Sequence, residues 1–174
     1  MAPESEVESG SPVLVRPAAA AELAAAGELA VNAYLSAGVL RADDEYRHTV
    51  ADAAARHIVG TVLVAERSGE LVGTASMSRA GLAFAEIALP GESEVRMLAV
   101  TPTAWGHGVA DELVRGAMDH ARAEGSTVLV CCVVDSNVPA HRLYARHGFT
   151  RLPERDWCPV QGVALQAYRV PLHG

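Results

Sequence analysis

The feature that most constrains this chain is the pattern of its second half. Residues 127–134 (Thr-Val-Leu-Val-Cys-Cys-Val-Val) form an unbroken apolar run, which suits a central strand covered on both faces. Ahead of it, within Gly106–Glu124, Val109, Leu113, Val114, Ala117, Met118 and Ala121 recur at helical spacing, and Gly125 marks a stop. Earlier still, Glu94–Val100 reads as a strand ended by Thr101–Pro102. A further helix is expected from about Asn137 to His147, with Pro139 tolerated in its first turn and Gly148 past its end. Phe149–Pro153 and Val163–Val170 read as two last strands joined by a polar loop.

The first half carries hairpin signals instead. Val13–Arg16 is a short strand, and an alanine-rich helix follows from Ala18 to about Ala37, ended by Gly38. Asp43 or Asp44 caps a second helix running to about His57. Thr61–Arg67 and Leu71–Ser78 are strands around a Ser68–Gly69 turn. Residues 79–92 read as a strand continuation plus a loop. Hairpins followed by strand–helix–strand units predict an α/β (α+β) fold, a mixed sheet with helices on both faces. One domain is expected over residues 12–174, preceded by a flexible tail at 1–11.

Composition narrows the function. The 174 residues carry a formal charge of −7, which argues against a general nucleic-acid binder. All fourteen basic residues are arginine, so acylation of lysine side chains within the chain is excluded. The acidic N-terminus lacks the basic and apolar regions of a signal peptide, and no apolar stretch approaches the roughly 20 residues needed to span a bilayer. Three cysteines (Cys131, Cys132 and Cys158) without framework spacing suggest reduced thiols and a cytoplasmic location. Cys131 and Cys132 are adjacent in a strand and point to opposite faces; with no base beside them in sequence, core packing is the favoured reading. The seven histidines show no metal spacing, and no metal site is expected.

Two segments carry the chemistry. In Leu98-Ala-Val-Thr-Pro-Thr-Ala-Trp-Gly-His-Gly-Val-Ala110 a strand ends, a loop with Gly106 and Gly108 follows, and a helix starts. Small residues let a ligand approach the backbone, and free N–H groups at a helix start favour an anion such as a pyrophosphate. The same glycines also suit a tight connection. The loop is neither a dinucleotide fingerprint nor a Walker loop. The second segment is Asn137-Val-Pro-Ala-His-Arg-Leu-Tyr-Ala-Arg-His-Gly-Phe149. Its Asn137, Ala140 and Tyr144 share one helix face.

Together these segments resemble the GCN5-related N-acetyltransferase (GNAT) superfamily. The family's loop reads Arg/Gln-x-x-Gly-x-Gly/Ala, against Trp105-Gly-His-Gly108-Val-Ala110 here. Its helix motif, Asn-x-x-Ala-x-x-Leu-Tyr-x-x-x-Gly-Phe, is matched at Asn137, Ala140, Leu143, Tyr144, Gly148 and Phe149. Pro153-Glu-Arg-Asp-Trp157 and Gly162-Val163 resemble a subgroup from high-GC (actinobacterial-like) bacteria. The departure is Trp105, which removes a polar side chain from the loop. Arg142 or Arg146, one helix away, is the candidate source of a compensating charge.

The resemblance implies a mixed sheet of about six to seven strands flanked by about four helices, with two parallel strands splayed at the cofactor. It implies acetyl-coenzyme A (acetyl-CoA) held by Leu98, Ala99, Val100, Trp105, Gly106, His107, Gly108, Val109, Ala110, Asn137 and Tyr144. The Leu98 amide would stabilise the oxyanion, and Tyr144 would protonate the leaving thiolate. Glu94 is the candidate base for the proton of the amine, the other readings being a water chain in that role and Glu94 as a solvated acid at a strand edge. The expected reaction is direct acetyl transfer to a primary amine of a small molecule. The alternatives are a protein or peptide N-acetyltransferase and a non-catalytic acyl-CoA-binding module. The acceptor region, at Val39–Tyr46 and Glu154–Gly162, has an acidic excess that suits either a cationic amine or a solvated rim. The partner expected is the amine, without nucleic acid or membrane, and a homodimer is left open.

Overall fold

The computed structural model describes residues 10–173. Most of the expected tail at 1–11 lies outside them. Eight strands form one mixed sheet: β1 (Val13–Pro17), β2 (Thr61–Arg67), β3 (Glu70–Arg79), β4 (Glu92–Val100), β5 (Val128–Val134), β6 (Thr150–Arg151), β7 (Trp157–Val160) and β8 (Val163–Pro171). Their order is β1-β2-β3-β4-β5-β8-β6, with β7 also paired to β8. Every pairing is antiparallel except β4 with β5. Five α-helices accompany the sheet: α1 (Leu23–Ser36), α2 (Tyr46–Ala51), α3 (Ala53–Val59), α4 (Val109–Ala123) and α5 (Val138–Arg146).

α4 buries the stripe expected from its spacing, through Val109, Leu113, Val114, Ala117 and Ala121. It packs in the main core with Val95, Leu129, Cys131 and Val133 of the sheet and with Leu143 and Tyr144 of α5. The opposite face is covered by α1, α2 and α3 in two smaller clusters. β5 itself is covered by the α4 core on one side and by Ile87, Leu152 and Ala167 on the other. Cys131 belongs to the α4 side, while Cys132 packs beside Ile87, Val130, Leu152 and Ala167 on the other.

Three elements differ from the sequence reading. The helix expected from Asp43 or Asp44 to His57 is two helices, because Asp52 leaves helical geometry (φ −81°, ψ 69°) and its carboxylate caps Ala55 N at 2.9 Å. The buried Arg56 holds this break. Its guanidinium donates to the carbonyls of Thr49 (2.5 Å), Val50 (2.9 Å) and Asp52 (3.1 Å), and to Ser76 Oγ (2.8 Å). The Thr49 and Val50 carbonyls belong to the last turn of α2, where intrahelical donors run out. The polar loop after Pro153 contains the edge strand β7, which Pro159 and its irregular register hid from period-two reading. Conversely, Phe149–Pro153 yields only the two-residue β6; Phe149 turns into the core and Pro153 starts a 3-10 turn.

α1 crosses the end of α2 at Gly27. A methyl group added there would overlap the Ala51 carbonyl, so the contact needs a residue without Cβ. Helix propensity alone favours alanine over glycine by about 1 kcal/mol. Here the overlap dominates, and Gly27→Ala is expected to lower the unfolding free energy by about 1–3 kcal/mol. Urea denaturation decides the sign; a variant as stable as the parent would mean that the α1–α2 contact is not this close.

Candidate active site

The site begins where two strands part. β4 and β5 are paired only at Glu92–Val128, Ser93–Leu129 and Glu94–Val130. Beyond that, β5 continues along β8 to Val134 while β4 continues along β3 to Val100. A cavity of about 960 Å³ lies at this divergence. Its walls are the end of β4, the loop before α4, the start of α5 and the C-terminal end of α1.

The β4 edge in this wall is irregular. Ser76 pairs with Arg96 and Thr74 with Ala99, so Met97 and Leu98 together face the single residue Ala75. Met97 takes φ 53°, uncommon for a side-chain-bearing residue. Its side chain swings toward α1 and packs with Ala30, Ala33, Val50 and Ala99. Leu98 is left without a partner in either ladder, on the wall of the cavity.

At the far end, Gly106 and Gly108 both take φ 77°, and nothing lies within 4 Å of where a Cβ would stand on either. This is why the helix starts at Val109 and not at Gly106. Gly108 is the N-cap and no side chain caps the helix start, so first-turn N–H groups are free of intrahelical partners. An uncapped fifteen-residue helix opening on glycines at a cavity wall fits a diphosphate.

Leu98, Ala99, Val100, Trp105, Gly106, Gly108, Val109, Ala110 and Asn137 all line this cavity; His107 is exposed and does not. Trp105 is about half exposed, and its Nε1 donates to the Val100 carbonyl at 2.8 Å, tying the loop to the end of β4. The Asn137 side chain accepts from Ala140 N at 3.3 Å and so also caps α5.

The two expected catalytic side chains lie behind the wall. Tyr144 is buried, stacks edge-on against Phe149 (centroids 5.0 Å apart) and places its hydroxyl beside the Cys131 thiol. Burial pushes both groups up, so each stays protonated through the neutral range. Cys132 is likewise pushed up to about 12 by burial. Glu94 has no solvent exposure. Its Oε2 accepts from the backbone N–H groups of Glu86 (2.8 Å), Ile87 (2.9 Å) and Ala88 (3.1 Å), which anchors the β3–β4 loop. Its Oε1 has no hydrogen bond and lies 3.9 Å from Arg96 Nε. Arg96 in turn pairs with Glu86 at 2.7 Å and donates to Phe84 O at 2.8 Å. Burial raises the Glu86 carboxyl against the pull of Arg96.

Sequence reasoning missed a clamp between the two helices. Asp111, in the first turn of α4, accepts from Arg146 Nε (2.7 Å) and Nη2 (3.0 Å) and contacts His147 Nε2 (2.7 Å). These two partners hold its carboxyl at about 2. Asp111 and Arg146 are 35 residues apart, and no local spacing rule connects them. The acidic residues of the expected acceptor region are mostly engaged locally. Asp43 pairs with Arg41 at 3.2 Å, Asp44 accepts from Tyr46 N at 2.9 Å, and Asp156 pairs with Arg151 at 2.6 Å. Among the described residues, no group of three His, Cys, Asp or Glu could hold a metal ion, and no helix is long and apolar enough to cross a membrane.

Known structures share this fold. An acetyltransferase of the GNAT family from Staphylococcus aureus Mu50 superposes with a TM-score of 0.73 at 11% identity, covering 93% of this chain and 100% of that one. The putative acetyltransferase yncA from Salmonella typhimurium, solved with its cofactor acetyl-CoA, gives 0.68 at 24% identity over 94% and 96% of the two chains. The ribosomal-protein-S18-alanine N-acetyltransferase from Escherichia coli gives 0.69 at 17% over 94% and 96%. These likenesses are of fold. No curated protein matches the sequence significantly. The sequence model of the acetyltransferase (GNAT) family matches residues 28–149, well over half of the chain. That stretch holds the parted strands, the glycine loop and the α5 motif, and the chain therefore belongs to the GNAT family of acetyl-CoA-dependent N-acetyltransferases.

Proposed function

We propose that this chain transfers an acetyl group directly from acetyl-CoA to a primary amine of a small molecule. The observation that carries the reading is the continuity of one cavity, from the uncapped start of α4 to the unpaired Leu98. Acetyl-CoA, when bound, supplies an acetyl group activated as a thioester. The first-turn N–H groups of α4 and the loop at Gly106–Gly108 are assigned to its diphosphate. The exposed edge of β4, Leu98–Val100, is assigned to the pantetheine arm, with Asn137 on the facing wall.

The residues divide the reaction as follows. Leu98 N–H, free of both ladders, is the donor for the acyl oxygen as negative charge develops there. The amine must lose a proton, and Glu94 Oε1 is the atom assigned to receive it, through water. Its Oε2 is committed to the β3–β4 loop, so Glu94 both positions that loop and offers one free oxygen. Tyr144 holds the proton that passes to the leaving sulfur; its buried hydroxyl stays protonated in the neutral range, as this role requires. Burial keeps Cys131 and Cys132 in the thiol form, which favours direct transfer over an acyl-enzyme.

Titration calorimetry with acetyl-CoA, CoA and NAD is expected to show micromolar binding of the two CoA forms only. A panel of small primary amines and free-amino peptides, followed by thiol release, then separates the acceptor classes. Turnover confined to peptides would sink the small-molecule reading, and CoA binding without turnover would point to a binding module. Tyr144→Phe is expected to lower kcat by about 10²-fold with CoA affinity nearly unchanged; unaltered kcat removes Tyr144 from the mechanism. Glu94→Gln keeps an oxygen for the three loop N–H groups but removes the proton acceptor. It is expected to lower kcat with CoA affinity nearly unchanged. A kcat equal to the parent's would leave Glu94 with the loop-anchoring role alone.

A further inference from the structure

We propose that Arg146, fixed by Asp111, is a phosphate-binding residue for the cofactor and replaces the polar side chain that Trp105 removes from the loop. The inference rests on the acetyl-CoA reading above. Trp105 has one polar side-chain atom, Nε1, and it is committed to the Val100 carbonyl. His107, the other candidate in the loop, is exposed and off the cavity wall. Among the described residues that line the cavity, Arg146 is the single arginine; Arg142, on the same helix, is exposed and outside the wall.

Arg146 reaches the first turn of α4 through Asp111. The fork of two hydrogen bonds, 2.7 Å from Nε and 3.0 Å from Nη2, sets the guanidinium plane. Nη1 makes no hydrogen bond among the described residues. Asp111 alone would repel an anion at the free N–H groups beside it. The guanidinium offsets that charge and leaves a preoriented donor next to the helix start. A phosphate there meets backbone N–H groups from α4 and a guanidinium from α5. This also accounts for an acid in the first turn of a helix whose start receives an anion: the acid places the arginine.

The test is calorimetric and independent of turnover. CoA and 3′-dephospho-CoA are titrated into the full chain and into the Arg146→Gln, Arg142→Gln and Trp105→Arg/Arg146→Gln variants. Arg146→Gln is expected to weaken CoA about tenfold, by loss of a charge-assisted contact, and the deficit narrows at high salt. Arg142→Gln is expected to bind as the parent does. Trp105→Arg, added to Arg146→Gln, recovers most of the loss, a gain that a merely misfolded variant cannot show. A dephospho-CoA deficit equal to that for CoA places Arg146 on the diphosphate, as proposed; a smaller one places it on the 3′-phosphate and overturns its replacement of the loop side chain. Arg146→Gln affinity within twofold of the parent, or an equal loss in Arg142→Gln, overturns the assignment. Failure of the unmodified chain to bind CoA overturns the cofactor reading itself.

Discussion

Everything at this site depends on β4 and β5 holding together for three residue pairs and then separating. A parallel pair in the middle of a sheet normally keeps its hydrogen bonds to the end, because buried N–H and C=O groups are costly to leave unmade. Here the edge of β4 from Val95 to Val100 has no β5 neighbour, and the groups freed on that edge are what a peptide-like ligand arm would pair with. The bulge at Met97–Leu98 sits within this stretch. It turns Met97 into the α1 layer and frees Leu98. Strain at one residue is thus spent where the strand is already unpaired.

The same economy appears in the buried charges. Arg56 and Glu94 are both almost without solvent contact, and neither relies on a close opposite charge. Arg56 is satisfied mainly by backbone carbonyls at the end of α2, and Glu94 by three backbone N–H groups of the β3–β4 loop. Each replaces a missing piece of secondary structure. Arg56 completes a helix end, and Glu94 gives an irregular loop the acceptor it lacks. The helices and the loop on the α1 side of the sheet are shaped by these two side chains.

Much of the fold was legible in the sequence. The apolar run at 127–134 and the helical spacing of Val109, Leu113, Val114, Ala117 and Ala121 are properties of consecutive residues. They gave β5 and α4 to within a few positions. Most of the residues singled out in the glycine loop and the α5 motif line one cavity, while His107 and Tyr144 lie off its wall. The break at Asp52 was not legible, because it depends on Arg56 reaching back to α2 and across to Ser76 on β3. The Asp111–Arg146 clamp joins two helices that no periodicity relates. Glu94 stood out as an acid on the right strand, but its commitment to the loop follows from where residues 86–88 fold. In each case the missing information was a long-range polar contact.

Trp105 carries one more consequence. The chain has two tryptophans. Trp157 is packed beside Cys132 and Val130, while Trp105 is half exposed on the cavity wall with its indole N–H bonded to the backbone. Emission from the two rings therefore reports different surroundings: one a partly buried site on an edge strand, the other the hydration of the cavity mouth. The residue that departs most from the family's loop pattern is thereby an intrinsic optical gauge of whatever enters that cavity.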